Sequence, residues 1–385
     1  MPIGSDKGFF VKPGFNPLAA QTSEVVAGGI WSWGVNSFGQ LGVGNTTAYS
    51  SPVQIGALTN WSKTSPGGTS TVALKYSGEL YAWGQNSHGQ LGQNNTTHYS
   101  SPVQVGSLTT WADIAAGGSG RHVLAKKTDG TLYAWGYNYK GRVGDGSETS
   151  RSLPVQIGAL TTWNAICTGQ QFSIATNNSG ALYAWGYNYV GALGTGNTTS
   201  YSSPVQVGAL TNWLTLSAGN YYVAAVKTDG TLWTWGRNHE GQLGVGNKTN
   251  KSSPVQVGGL TTWSKTAAGA QHTLATTTDG KLYAWGYNFF GQLGQGNTTS
   301  TSSPVQVGAL TTWADIFAGD NYAVGLTTSG ALWSWGQGTT GRLGLNNTTN
   351  YSSPVQIGAL TTWTIGKTLP ASNCFGSHIV LIKEA

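Results

Sequence analysis

Residues 282–306 read LYAWGYNFFGQLGQGNTTSTSSPVQ, and variants of this stretch recur seven times along a chain of 385 residues. Its Trp-Gly step lies 50 residues from the next copy, with one interval of 52 residues. Self-similarity at such a period is typical of propeller blades and other repeat architectures. The tryptophans of the seven Trp-Gly steps are Trp33, Trp83, Trp135, Trp185, Trp235, Trp285 and Trp335.

Each unit contains four short apolar or alternating segments. His272–Thr277 and Lys281–Trp285 flank an Asp-Gly pair, which is a strong hairpin signal. A loop rich in Gly, Asn, Thr and Ser follows, and residues 305–310 and 313–317 predict two further strands. Four strands per unit, repeated seven times, predict an all-β, seven-bladed β-propeller.

The two ends of the chain predict how the ring closes. Gly28 aligns with the hairpin glycines of the other units, so the chain enters its first unit after that turn, with Ile30–Trp33. The missing partner strand, His378–Lys383, stands at the other end. We therefore expect these segments to pair as antiparallel strands, which removes the edges that an open array would expose. The predicted domains are an extended N-terminal arm over residues 1–24 and the propeller over residues 25–385.

The tryptophans and histidines are predicted to be packing residues. All 17 tryptophans stand at repeated positions, so we expect them in the core with their indole N–H groups bonded locally. His122, His272 and His378 share one blade position with Phe172, which argues for packing and against metal ligation. Beyond the Trp-Gly series, the tryptophans are Trp61, Trp111, Trp163, Trp213, Trp263, Trp313 and Trp363, together with Trp31, Trp233 and Trp333.

The composition argues against several function classes. Charged residues make up 8% of the chain, and the 19 Lys and Arg are scattered, whereas a nucleic-acid-binding domain usually clusters them. The two cysteines have no metal-ligand spacing, and the 13 acidic residues form no evident acid–base pair. We expect no enzymatic activity, cofactor, metal or dedicated nucleic-acid binding. No apolar run is long enough for a membrane span, and no secretory signal is visible.

The unit Leu-Tyr-Ala-Trp-Gly-x-Asn-x-x-Gly-Gln-Leu-Gly, followed by Ser-Pro-Val-Gln, resembles the regulator of chromosome condensation repeat family. The best copies are residues 282–306 and 80–104, and the resemblance covers about residues 25–385. It implies a seven-bladed propeller. Members include a nucleotide-exchange factor for a small GTPase, a plant ultraviolet photoreceptor and a bacterial β-lactamase inhibitor. The chain departs from the exchange factor in lacking an inserted wedge, and from the photoreceptor in lacking tryptophan at positions such as Gln170-Gln171.

A variable pair after each Trp-Gly-x-Asn is the first candidate binding surface. Rigid scaffolds carry function on their loops, and aromatic residues are enriched at interfaces. The alternative is drift on a solvent-exposed loop. The candidate residues from this pair are Phe38, His88, Tyr139, Lys140, Tyr189, His239, Phe289 and Phe290.

The N-terminal arm is the second candidate. Two prolines disfavour a helix there and favour an extended segment. Burying an aromatic side chain stabilises a protein by about 1.5–3 kcal/mol, so Phe9, Phe10 and Phe15 are expected to pack on another subunit or on a partner.

Two functions are compatible with these features. A chain rich in Gly, Ser, Thr and Asn with few charges favours a non-enzymatic structural or binding propeller in a virion or on an extracellular surface, such as a bacteriophage component. Its partners would be a protein or other subunits of an assembly. The alternative is a cytoplasmic protein-binding regulator, for example a GTPase exchange factor or an enzyme inhibitor.

Deleting residues 1–20 should abolish assembly or partner binding and leave thermal unfolding nearly unchanged, because the ring is complete without the arm. Calorimetry together with a binding assay on the truncated protein checks this. Early melting with binding retained would show that the arm instead covers the propeller's own surface.

Overall fold

The computed structural model describes residues 28–118, 121–359, 363–364 and 376–384. These ranges form seven four-stranded antiparallel sheets arranged as the blades of one propeller. The arm predicted over residues 1–24 lies outside the described residues. The described part of the chain contains no helix that is long and apolar enough to cross a lipid bilayer.

Blades II to VII each use four consecutive strands, whereas blade I combines strands from both ends of the chain. The strands of blade I are β1 (Gly28–Gly34), β2 (Tyr49–Gln54), β27 (Trp363–Thr364) and β28 (His378–Glu384). Those of blades II and III are β3 (Trp61–Pro66), β4 (Ser70–Lys75), β5 (Leu80–Gly84), β6 (Tyr99–Gln104), β7 (Trp111–Ala116), β8 (His122–Lys127), β9 (Leu132–Gly136) and β10 (Arg151–Gln156). Those of blades IV and V are β11 (Trp163–Thr168), β12 (Phe172–Asn177), β13 (Leu182–Gly186), β14 (Tyr201–Gln206), β15 (Trp213–Ala218), β16 (Tyr222–Lys227), β17 (Leu232–Gly236) and β18 (Lys251–Gln256). Those of blades VI and VII are β19 (Trp263–Ala268), β20 (His272–Thr277), β21 (Leu282–Gly286), β22 (Thr301–Gln306), β23 (Trp313–Ala318), β24 (Tyr322–Thr327), β25 (Leu332–Gly336) and β26 (Tyr351–Gln356). Two short 3-10 turns are Tyr139–Gly141 and Thr339–Gly341.

The predicted closure of the ring is confirmed. Strand β28 pairs antiparallel with β1, with Ile30 opposite Ile382 and Trp33 opposite Ile379. On its other side β28 pairs with β27. Blade I is therefore a composite sheet that joins the two ends of the chain.

The strand predicted over residues 305–310 is wrong in its bounds. The strand is Thr301–Gln306, with Pro304 inside it, and it is the edge strand of its sheet. An edge strand tolerates proline because the missing N–H would face away from the ladder. The chain then turns at Gly308 (φ +59°), and Leu310 is 44% exposed instead of lying in a strand. The equivalent leucines of the other described blades are also exposed: Leu58, Leu108, Leu160, Leu210 and Leu260.

Each blade is attached to the preceding one through the tryptophan of its Trp-Gly step. All seven of these side chains are fully buried. Six of them donate the indole N–H to a backbone carbonyl of the preceding blade's Gly-x-Leu-Gly loop, in which x is Gln, Ala or Arg. The bonds are Trp33 to Arg342 (3.2 Å), Trp83 to Gln40 (2.9 Å), Trp135 to Gln90 (2.9 Å), Trp235 to Ala192 (3.0 Å), Trp285 to Gln242 (2.9 Å) and Trp335 to Gln292 (3.0 Å).

The loop glycines make room for these rings. Gly42 has φ +75°, and a Cβ atom placed on it would lie 2.6 Å from the indole nitrogen of Trp83. A side chain at this position would therefore meet the tryptophan of the next blade and would also strain the backbone. The leucine between the glycines is buried in each of these loops, and Val143 is buried in its place in blade III.

The other tryptophans follow the prediction only in part. The seven that begin the first strand of a blade are buried and pack edge to face or tilted against the Trp-Gly rings. Their indole nitrogens find no acceptor among the described residues, so the expected local hydrogen bond is absent there. Trp31, Trp233 and Trp333 are half-buried and not in the core, because they take the place of a tyrosine that faces the blade surface.

Residues at the start of the second strand also connect neighbouring blades at several points of the ring. His122 Nε2 lies 3.0 Å from Ser173 Oγ, and His378 Nε2 lies 2.8 Å from Thr71 Oγ1. The hydroxyl of Tyr222 donates to the carbonyl of His272 at 2.5 Å. These histidines are buried.

Stability should fall with acid, and His272 should account for part of the fall. Burial lowers the pKa of His272 to about 4, against 6.5 in an unfolded chain. Below pH 6.5 the unfolded chain therefore binds a proton that the folded protein does not. The free energy of unfolding falls as the pH drops from 6.5 towards 4, by at most about 1.4 kcal/mol per pH unit. Urea unfolding of His272→Phe should show a shallower loss over this range, since Phe172 occupies the same position in blade IV.

The control is His239→Gln, because His239 is exposed on a loop. Equal acid slopes for His272→Phe and the wild-type protein would contradict the assignment.

Candidate functional site

Two sets of loops share one face of the propeller. In blade II, Ser70 at the start of the second strand pairs with Gly84 at the end of the third strand. Pro66 at the end of the first strand pairs with Thr71 of the second. The first strand therefore ends, and the second begins, at the edge of the sheet where the third strand ends. The connections between first and second strands therefore lie beside the long loops that follow each Trp-Gly step. We call this surface the loop face. The hairpin that contains Tyr76 lies on the opposite face.

The long loops are held by internal hydrogen bonds. In blade IV, Asn188 Nδ2 donates to the carbonyls of Thr199 (2.9 Å) and Asn197 (3.1 Å). Asn188 Oδ1 accepts the N–H of Leu193 at 2.9 Å. Gly191, at φ +78°, lies so close to Ser252 of the next blade that a Cβ would come within 2.5 Å of its Cα. The loop is thus held by hydrogen bonds within it and packs closely against the next blade.

Asparagine also supports the outer part of each loop. The Asn-x-Thr segments form Asx turns, as in the bond from Thr199 N to Asn197 Oδ1 (2.9 Å). The same bond occurs in other blades, from Thr47, Thr97, Thr249, Thr299 and Thr349.

Six rings form a continuous chain of contacts across blades II to V of the loop face. We call them the aromatic arc: His88, Tyr137, Tyr139, Tyr187, Tyr189 and Tyr221. Successive centroid distances along the arc are 4.3, 6.3, 6.1, 4.9 and 5.3 Å. Tyr139 and Tyr189 are 44% and 46% exposed. Burial raises the pKa of the Tyr221 hydroxyl, and Gln171 Nε2 donates to its oxygen at 3.0 Å.

Cationic side chains accompany the arc. Arg121 Nη1 donates to His88 Nε2 at 3.0 Å. The Arg142 guanidinium lies over the Tyr137 ring, 4.7 Å from its centroid, and Lys140 Nζ lies 5.4 Å from the centroid of Tyr139. Burial lowers the pKa of Arg142 to about 10, so this group stays protonated at neutral pH.

A second, smaller cluster lies in blade VI. Phe289 is 65% exposed, and its ring lies 5.0 Å from that of Phe290 and 6.4 Å from that of Tyr287. In the adjacent blade VII, burial raises the pKa of the Asp320 carboxyl, and the positive charge of Arg342 opposes this shift.

The structure brings together some of the predicted binding residues and separates others. His88, Tyr139, Lys140 and Tyr189 belong to the arc or touch it. Phe289 and Phe290 form the blade VI cluster. Phe38 is half-buried against His98, with centroids 5.5 Å apart, and His239 is exposed in blade V. Phe9, Phe10 and Phe15 lie outside the described residues.

Sequence reasoning missed Tyr137, Tyr187 and Tyr221, as well as Arg121 and Arg142. The first two occupy the x position of Trp-Gly-x-Asn, which varies between blades as much as the pair that follows the asparagine. That variation was a usable signal. Tyr221 comes from the short connection of the next blade, so only the packing of neighbouring blades reveals that it touches Tyr189.

The loop face can supply flat aromatic surfaces and positive charge. In the described ranges, no group of three or more His, Cys, Asp or Glu side chains is placed to hold a metal ion. The chemistry present is that of recognition, by stacking, cation–π contact and charge-assisted hydrogen bonds.

Comparison with known proteins adds the family. The regulator of chromosome condensation (RCC1) repeat matches residues 27–74, 77–125, 129–176, 179–226, 229–276, 279–326 and 329–365. The Ultraviolet-B receptor UVR8 of Arabidopsis thaliana is 32% identical over 149 residues, which are 38% of this chain. The match spans only 33% of that receptor's length.

Solved structures share the fold at low identity. Prp20p from Saccharomyces cerevisiae, described with its binding to Gsp1p and histones, has a TM-score of 0.79 and 21% identity, over 93% of this chain and 92% of that one. Yeast RCC1 (Prp20) bound to Kap60 has a TM-score of 0.81 and 19% identity, over 99% of this chain and 96% of that one. Human WBSCR16 has a TM-score of 0.80 and 20% identity, over 93% of this chain and 99% of that one. Because the repeat matches well over half of the sequence, the chain belongs to the regulator of chromosome condensation (RCC1) repeat family.

Proposed function

We propose that this protein is a non-enzymatic, protein-binding regulator that engages its partner through the loop face. The observation that carries the proposal is the aromatic arc, because its exposed tyrosines lie on loops held by internal hydrogen bonds. Tyrosine and arginine are enriched among the residues that dominate binding energy at interfaces. Rigid loops lose little conformational freedom on binding, which favours affinity.

The relatives support this reading over the alternative of a virion or surface component. Yeast Prp20p binds Gsp1p and histones, and it has been seen bound to Kap60. Such partners are proteins, and histones favour a location inside the cell. A structural role in a particle rests on the composition, on the lack of functional motifs and on the arm expected over residues 1–24.

The variant Tyr139→Ser/Tyr189→Ser should lose partner proteins. Each exposed aromatic anchor contributes enough that its truncation weakens binding by about ten-fold or more. The immobilised wild-type and variant proteins would be incubated with extract of the cell of origin, and the retained proteins compared by quantitative mass spectrometry. Proteins retained by the wild type should fall at least about ten-fold with the variant.

The matched control is Tyr76→Ser, which removes an equally exposed tyrosine (46%) from the opposite face. Its retained proteins should equal those of the wild type. Retention of the same proteins by all three forms would refute loop-face binding. Recovery of the chain as a stoichiometric component of purified particles would instead support the structural role.

A further inference from the structure

Arginine is concentrated on the loop face. All five arginines of the chain lie in or beside the loops of this face. Arg151 begins strand β10 opposite Gly136 and pairs with Asp145 of the long loop at 2.6 Å. The other four are Arg121, Arg142, Arg237 and Arg342. Two of them act on the same ring, since Arg142 and Arg237 both oppose the rise in the pKa of Tyr221 that burial causes. Positive charge therefore follows the aromatic arc from blade II to blade V.

Arg121 lies at the end of the connection that contains the two-residue insertion of the repeat. The interval of 52 residues between Trp83 and Trp135 places two extra residues in the connection that ends at Arg121. Arg121 is exposed and has φ +59°, a conformation that is costly for arginine. Its guanidinium donates to His88, and burial together with the nearby arginines lowers the pKa of that histidine, so the imidazole is neutral and accepts. The neutral ring orients the guanidinium without cancelling its charge.

Lys140 repeats this arrangement in the next loop. It also has a positive φ, +59°, and its ammonium lies by Tyr139. The ion pairs of the described residues include neither Arg121 nor Lys140. Both cations are therefore available to an anionic group that lies across the tyrosines.

The spacing of the rings leaves no room for a nucleic-acid base inserted between two of them. A base inserted between two rings needs them about 7 Å apart, twice the stacking distance of 3.4 Å. The nearly parallel pairs are closer, at 6.3 Å for Tyr137 and Tyr139 and 4.9 Å for Tyr187 and Tyr189. The arc thus presents ring edges and outer faces beside the cations, a surface that suits an extended peptide with acidic side chains.

We propose that the His88–Tyr221 side of the loop face binds an acidic protein segment, whose carboxylates pair with Arg121 and Lys140 while its backbone and apolar atoms pack on Tyr139 and Tyr189. This inference rests on the proposed function and names the chemistry of its partner. Arginine binds a carboxylate through two parallel hydrogen bonds, which gives orientation as well as affinity.

The test uses a fluorescein-labelled peptide of eight glutamates and its glutamine counterpart as probes in fluorescence anisotropy. The wild-type protein should bind the glutamate peptide, and added salt should weaken binding because exposed charges are screened. Arg121→Asn/Lys140→Asn should lower the affinity at least about ten-fold, the loss of two charge-assisted contacts. Asparagine is chosen because it tolerates a positive φ. Circular dichroism should show unchanged folding.

The control Lys248→Gln removes an exposed lysine from the long loop of blade V and should leave affinity within about two-fold, as for surface charges outside a binding site. An equal loss in the control, equal binding of the glutamine peptide, or tighter binding of an oligothymidine of the same charge would overturn the proposal. If the glutamate peptide does not bind while Tyr139→Ser/Tyr189→Ser still loses its partner proteins, the acidic chemistry is wrong and loop-face binding stands.

Discussion

An indole N–H that donates to a backbone carbonyl of the preceding blade is the contact on which this propeller depends. Three groups meet at this contact. A large apolar ring fills the space between two sheets, and its N–H is the donor that a loop carbonyl needs. A glycine in the loop leaves room for the ring. The same contact joins Trp33 of blade I to Arg342 of blade VII, so it also closes the circle. The pairing of β1 with β28 completes the sheet at that point, and the two interactions reinforce each other because both join the chain termini.

This contact links the core to the loop face. The carbonyls that accept the indole N–H groups belong to the loops that begin with the variable residues, so the packing of the core positions the surface. Asn188 and its equivalents then bond the loop from within, and the arc tyrosines project from backbone that has few ways to move. The sequence can therefore vary at the x position and at the pair after the asparagine without disturbing the blades, which is how a uniform scaffold comes to carry a single distinctive surface.

The number of blades, the hairpins and the closure were predictable because each depends on residues that recur at a constant spacing, such as Gly280 in the turn or Trp285 in the core. The edge strand was misplaced because the loop was expected to continue as far as Pro304. Only the sheet order shows that Pro304 lies inside an edge strand, where a missing N–H has no cost. The candidate site was predicted in part. Tyr139 and Tyr189 stood out by their variability, whereas Tyr221 reaches the arc from another blade and Arg121 depends on a two-residue insertion whose course a sequence does not show.

The most direct test of the account compares three substitutions of the same kind by urea unfolding followed with far-ultraviolet circular dichroism: Trp33→Phe, Trp135→Phe and Trp185→Phe. All three substitutions remove similar buried area. The Trp185 indole nitrogen, however, has no acceptor among the described residues. The carbonyl of Arg142 beside it accepts a hydrogen bond from Ser173 Oγ at 2.8 Å. The first two substitutions leave a buried carbonyl unpaired, so they should cost about 1–3 kcal/mol more than Trp185→Phe, each in a single cooperative transition. Equal losses for all three would show that the rings act by packing alone and that the bond between blades is not what holds the propeller closed.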